Sequence, residues 1–262
     1  MDGSDAPFGG GGENRPVVRG AMMRRRLTIA CFIAGLFFWA PASAAAAGHE
    51  IFYAEHDCVV YVPAAVVAGK RAPVLVCLPG RGVSARQDIV RWRKAAGFTD
   101  VFLVDFNVDY LAIGNDLGVR KLQSRIENLL KEMSQSYAVQ TQRVSIAGSS
   151  AGAVTALALA LRYPERYDSA GLVSTGPVNF ETEDYRTNAA GKRFYIAHGK
   201  EDPTVPLDEA VKVKEFLEGG RAVVTFVSVP GGGHELPPGV YRSLARWLFP
   251  PRDFLQKLKS LF

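Results

Sequence analysis

From residue 50 onward, short runs of β-branched and aromatic residues alternate with longer stretches in which apolar residues recur every three or four positions. Such alternation predicts an α/β domain on a mainly parallel sheet. Residues 51–55 and 58–62 read as two short strands with a tight connection. Residues 74–78 are apolar without interruption, the pattern of a strand covered on both faces. Pro79-Gly80-Arg81-Gly82 breaks that run, and residues 84–96 read as a helix. Residues 101–106 predict the next strand. Residues 117–137 predict the longest helix, with Leu122, Ile126, Leu129, Leu130 and Met133 at helical spacing.

A short strand over 144–147 runs into Gly148-Ser149-Ser150-Ala151-Gly152. The helix predicted over 153–163 is rich in Ala and Leu, is apolar nearly all round and is therefore expected to be buried. A strand over 171–174, a loop over 175–191 with room for one helical turn, and a strand over 193–197 follow. Residues 207–217 predict a helix ended by Gly219-Gly220. A last strand over 222–229 and a helix over 237–249, opened by Pro237-Pro238, complete the pattern. Residues 253–262 predict a short tail helix. Trp92 and Trp247 fall on helices and read as packing residues.

The first 47 residues follow a different pattern. Residues 1–21 are rich in Gly, Asp and Pro and read as a disordered extension. Arg24-Arg25-Arg26 then precedes an apolar run over 27–40, followed by Pro41 and a series of small residues. That is the order of a secretory signal peptide, assigned to residues 22–47, with a single α/β domain over 48–262. An uncleaved signal anchor is the alternative. In both cases the arginines stay inside and the domain lies outside the cytoplasm, periplasmic or secreted. The membrane is then met only through an uncleaved signal.

Composition narrows the function classes. The chain has 31 Lys and Arg against 26 Asp and Glu. Residues 1–44 hold five and three of these, leaving 26 against 23 for the rest. That small excess is spread along the chain, so no nucleic-acid partner is expected. Neither metal-ligand spacing nor a dinucleotide or phosphate-binding loop occurs, so no metal and no cofactor is expected.

The chemistry points to Ser150. Gly148, Ser150 and Gly152 form a G-x-S-x-G pattern with a strand entering and a helix leaving, as a tight nucleophile turn requires. A serine hydroxyl needs a base. Of four histidines, His234 follows the last strand within a glycine-rich loop that can swing over the sheet edge. His198, at a strand end, is the rival and reads as a hydrogen-bonded structural residue. The imidazole needs an orienting acid. Asp202 lies four residues beyond the strand end at His198 and is followed by Pro203; Glu201 is its rival. An oxyanion site needs two backbone N–H donors, assigned to Ala151, after the nucleophile, and Arg81, between Gly80 and Gly82. Asp105 and Asp109 are assigned turn and cap roles.

Residues 70–250 resemble the α/β-hydrolase superfamily, in particular its small lidless esterase branch, phospholipase/carboxylesterase-like or dienelactone-hydrolase-like. The resemblance rests on Leu78-Pro79-Gly80-Arg81-Gly82, Gly148-Ser149-Ser150-Ala151-Gly152, His198-Gly199 through Val205-Pro206, and Gly233-His234-Glu235-Leu236. It places a catalytic triad on Ser150, Asp202 and His234. It implies an α/β-hydrolase fold with about eight mainly parallel strands, helices on both faces and no lid domain. It also implies a serine hydrolase acting on small-molecule esters, with thioesters or peptides as alternative substrates and a non-catalytic binding protein as the rival class. Two positions depart from the pattern: Pro79 where many members have His, and Ala153 where many have Gly. A dienelactone hydrolase proper would carry Cys at 150. The strand order of the superfamily, 1-2-4-3-5-6-7-8, separates Cys58 from Cys77 by two strand spacings, about 9.5 Å. That exceeds the reach of a disulfide, so the two thiols are expected to be unpaired.

Overall fold

A computed structural model describes residues 47–250, apart from 68, 99, 114–115, 143 and 179–182. The described residues belong to a unit spanning Ser43–Phe262. The extension, the signal segment up to residue 46 and the tail helix expected over 253–262 lie outside the described residues.

In chain order the elements are strand β1 (His49–Tyr53), strand β2 (Cys58–Val62), the short helix α1 (Ala64–Val67), β3 (Val74–Leu78), α2 (Ala85–Ala96), β4 (Phe102–Phe106) and α3 (Asp116–Ser136). They continue with β5 (Val144–Ser149), α4 (Ala151–Arg162), β6 (Tyr167–Val173), α5 (Glu183–Asn188), β7 (Arg193–Gly199), α6 (Leu207–Gly219), β8 (Val223–Val229) and α7 (Pro238–Leu248). The eight strands form one sheet in the order β1-β2-β4-β3-β5-β6-β7-β8. Strand β2 runs antiparallel to both β1 and β4, and the remaining neighbours are parallel. This is the α/β-hydrolase fold, with the strand order that the resemblance implied.

Side chains alternate across the sheet. Val74, Val76 and Leu78 of β3 join a core with α3, α4 and α6. Leu75 and Cys77 face the other way, onto Ile89 and Trp92 of α2 and Leu244 of α7. Both faces being covered explains why β3 carries no polar residue. Helix α4 buries Leu157, Leu159 and Leu161 completely, each contributing about 1.5–3 kcal/mol by transfer from water.

Helix α2 starts where its sequence can satisfy the first N–H groups: Ser84 and Gln87 form a reciprocal capping box. Gly97 ends it at φ 62°, a left-handed conformation that glycine adopts without strain. Helix α7 begins with proline in its first turn.

Four expectations need adjustment; strand β6, expected over 171–174, spans Tyr167–Val173. Strand β5 continues through Gly148 and Ser149, which pair with Leu172 and Val173 of β6; its parallel neighbour carries the ladder beyond the last large apolar residue. Helix α1 was not anticipated, because four residues are too few to show a period. Asp105 is neither a turn nor a cap: it lies within β4, fully buried, opposite Cys77. Asp109 does fill a turn role, its carboxylate accepting from the N–H groups of Leu111 and Ala112.

Cys58 on β2 and Cys77 on β3 lie on either side of β4. Both are buried and free. Trp92 packs edge-on against Tyr241, and the Trp247 indole donates to Thr225 and stacks under Arg193.

Candidate active site

Parallel strands β5, β6 and β7 end on one edge of the sheet, and the loops beyond them bring distant residues together. Ser150 sits between β5 and α4 with φ 53° and ψ −125°. A non-glycine residue in that region is strained and persists only where its surroundings hold it. Its N–H donates to Val173 O at 2.8 Å, fixing the turn to β6. Crowding explains both flanking glycines. A Cβ at Gly148 would lie 2.4 Å from the Gly152 backbone, and one at Gly152 would lie 2.0 Å from Leu78 O.

His234 enters from the loop after β8. Its Nε2 is 2.9 Å from Ser150 Oγ, and its Nδ1 is 2.8 Å from Asp202 Oδ2. Asp202 Oδ1 accepts from the N–H groups of Thr204 at 2.8 Å and Val205 at 2.9 Å. Burial raises the Asp202 pKa, but the bonds from Val205 N–H, His234 and Thr204 N–H outweigh it and hold the carboxyl below its ordinary range. Asp202 is buried, whereas Ser150 and His234 are half-buried and reachable from solvent.

The histidine loop is tied down at several points. The Ser174 hydroxyl, just past β6, donates to His234 O at 2.7 Å. Glu201 N–H donates to Gly232 O at 2.9 Å, and Lys200 N–H to Val229 O at 3.0 Å. Glu201, the rival acid, therefore contributes its backbone here, and its side chain is exposed. Gly199 permits the close approach of this loop, since a Cβ there would lie 2.2 Å from Gly232 O. His198, the rival base, is fully buried behind Asp202 and bonds Val205 O through Nε2 at 2.8 Å.

Ala151 is the first residue of α4, where the N–H has no carbonyl one turn back. Across from it, Pro79-Gly80-Arg81-Gly82 folds against the elbow: a Cβ on Gly80 would be 3.5 Å from both Ser149 Oγ and Ser150 Cβ. Gly82 takes φ 81°, and Val83 N–H closes the turn onto Gly80 O at 3.1 Å. The Tyr110 hydroxyl donates to Pro79 O.

The structure thus brings together Ser150, Asp202, His234, Ala151 and the loop containing Arg81. Sequence reasoning missed Ser174 and Tyr110. Neither carried a local sequence signal, since the partner of each comes from a distant segment. Among the described residues, no cluster of three or more His, Cys, Asp or Glu is placed to hold a metal ion. None of their helices is long and apolar enough to cross a membrane.

Residues 106–248 match the family model described as phospholipase/carboxylesterase, a span covering more than half the chain and all three of Ser150, Asp202 and His234. The chain belongs to the phospholipase/carboxylesterase family. It is 28% identical over 168 residues to acyl-protein thioesterase 1 of Aspergillus fumigatus, covering 60% of this chain and 69% of that protein. Its fold is similar to that of the Bacillus cereus carboxylesterase, with a TM-score of 0.55 at 23% identity, covering 67% of this chain and 87% of that one. It is also similar to Zea mays acyl-protein thioesterase 2, with a TM-score of 0.56 at 17% identity over 73% and 96% of the two chains. Family membership makes the chain a hydrolase of the esterase and thioesterase class.

Proposed function

We propose that the protein is a serine carboxylesterase cleaving small or exposed esters through an acyl-enzyme. The observation that carries this reading is His234 bridging Ser150 Oγ at 2.9 Å and Asp202 Oδ2 at 2.8 Å. Ser150 Oγ attacks the ester carbonyl carbon while His234 Nε2 takes its proton. The carbonyl oxygen becomes an oxyanion, held by the N–H groups of Arg81 and Ala151. Collapse of this intermediate breaks the bond to the alcohol oxygen, which receives the proton from His234. Water then attacks the acyl carbon, His234 again takes a proton, and the carboxylic acid leaves as Ser150 regains its own. Asp202 holds the imidazole with its proton on Nδ1 and stabilises the cation formed at each step. Each oxyanion donor is worth about 10²–10³ in kcat. In the described part of the β6–β7 connection the only regular element is the six-residue helix α5, which supports an open site.

A thioester substrate is the second reading, favoured by the 28% identity to an acyl-protein thioesterase. The same steps apply, with a thiolate as the leaving group. We further propose, from Arg24-Arg25-Arg26 and the apolar run behind them, that the domain works outside the cytoplasm; a mature N-terminus near residues 45–48 would support a cleaved signal.

A fluorophosphonate probe tests the nucleophile: wild type should label on Ser150, and Ser150→Ala should not. Labelling that survives in Ser150→Ala would defeat the assignment. A series of p-nitrophenyl esters of rising chain length, run beside acyl-thioesters and a feruloyl ester, then separates the two substrate readings. Loss of all turnover with intact probe labelling would point to a binding protein.

A further inference from the structure

Beneath the oxyanion loop lies a second polar cluster that the triad does not use. Asp105 stands on β4 beside Cys77 of β3, 0% exposed, and no donor meets either of its carboxylate oxygens. The group facing it is the carboxylate of Asp88, in the first turn of α2 and 1% exposed. Asp88 Oδ2 accepts from the Trp92 indole at 3.1 Å. Asp88 Oδ1 lies 3.3 Å from Arg91 Nη1, outside hydrogen-bond geometry. Arg91 also reaches the Tyr241 hydroxyl of α7 at 3.4 Å, and Tyr241 in turn meets the Ser149 hydroxyl, next to the nucleophile. The other titratable groups nearby are the Cys77 thiol on β3, the Cys58 thiol on β2 and Tyr110 in the turn after β4.

Two ionised carboxylates cannot rest against each other here. Asp105 would be an acceptor without a donor on either oxygen, and the two like charges would meet in a buried site. One shared proton removes both penalties, because a protonated carboxyl donates while its partner accepts. The remaining negative charge belongs on Asp88, which has the indole and the guanidinium. Burial, and then the charge of Asp88, push Asp105 well above the ordinary carboxylate range.

We propose that Asp105 is a neutral carboxylic acid in the folded protein, donating to the Asp88 carboxylate, and that this one-proton clasp positions the oxyanion loop. Residues 79–84 span the gap between the end of β3 and the start of α2. The clasp ties the first turn of α2 to β4 at that level, and the link through Arg91, Tyr241 and Ser149 extends it to the elbow. Losing the shared proton at high pH sets two negative charges against each other and pushes α2 and its loop away from Ser150. Asp105 and Asp88 are positioning residues in this scheme. The effect on turnover rests on the triad reading above; the protonation state does not.

Infrared difference spectroscopy and pH profiles test it together. Wild type should show the carbonyl stretch of a protonated carboxylic acid at neutral pH, bleaching at high pH and missing from Asp105→Asn. The asparagine amide still donates to Asp88 but cannot ionise. Wild type should show an alkaline fall in kcat, and Asp105→Asn should keep kcat within a few-fold at neutral pH and lose that fall, with the acid limb unchanged. If Asp105→Asn does not fold, Asp88→Asn, which removes the facing charge, should make the band bleach at lower pH than in wild type, and an unchanged bleaching pH would overturn the proposal. A missing band in wild type overturns the proposal. So does an Asp105→Asn enzyme that folds but is as inactive as Asp105→Ala. Failure of the triad reading would appear separately, as absent probe labelling with the band intact.

Discussion

His198 Nε2 lies 3.4 Å from Asp202 Oδ2 in the interior, so the carboxylate that reaches His234 has a second imidazole behind it. Nε2 of His198 also sits 2.8 Å from Val205 O. A carbonyl only accepts, so the His198 proton is on Nε2 and bridges the two ends of the Asp202 loop. His198→Ala leaves the Val205 carbonyl without that donor, expected to cost about 1–3 kcal/mol. Looser placement of Asp202 should lower kcat by roughly 10- to 100-fold. His234→Ala, by contrast, should remove about 10⁴-fold or more. Equal losses in the two variants would mean that His198 takes part in the chemistry itself.

Gly199, at the end of β7, and Gly233, beside His234 in the histidine loop, face different surroundings. A Cβ on Gly199 would press on Gly232 O and Gly233 O, at 2.2 and 2.3 Å, whereas one on Gly233 would meet nothing within 4 Å. Gly199→Ala must displace the loop and is expected to reduce kcat about 100-fold, the usual result of a misplacement near 1 Å. Gly233→Ala should stay within a few-fold. Steady-state kinetics on the pair, with circular dichroism to verify folding, separates backbone crowding from a general need for loop flexibility.

Much of this site was legible from residue spacing because strand ends announce themselves. The apolar run of β3 stopping at Pro79, and the small residues around Ser150, mark places where backbone must approach backbone. His234 stood out because its glycine-rich loop follows the last strand. Asp105 was misread for a physical reason. A single acid near the end of an apolar run reads as a turn residue, and its true partner, Asp88, is supplied by a helix packed across the sheet face. Ser174 was silent because its acceptor, His234 O, comes from a loop 60 residues away whose path no local pattern records.

The two described thiols should resist modification. Burial pushes Cys58 up to about 12 and Cys77 well above the usual thiol range, so little thiolate exists at neutral pH. Incubation with iodoacetamide under native conditions should leave both unlabelled, and denaturant should expose both. Mass spectrometry without reductant should find no Cys58–Cys77 linkage. Rapid native labelling at Cys58 would mean that β2 opens readily from β4.

Asp202 couples the candidate site to acid stability. Its pKa is lower in the folded chain than the ordinary value of 3.8. At pH above that value the carboxylate is ionised in both states, and the bonds it accepts in the folded state stabilise the protein. As pH falls below 3.8 the unfolded chain takes up a proton first, and the advantage is lost as pH passes through the folded value. Asp202→Asn cannot titrate. Its melting temperature should therefore lie below that of wild type at neutral pH, with the gap closing as pH drops from about 5 towards 2. Its kcat should fall by about 10⁴-fold, because an amide can present its N–H to Nδ1 and select the wrong imidazole tautomer. A gap in melting temperature that stays constant across that range would show that the bonds to Asp202 do not favour its ionised form, and the orienting role assigned to it would fail with them.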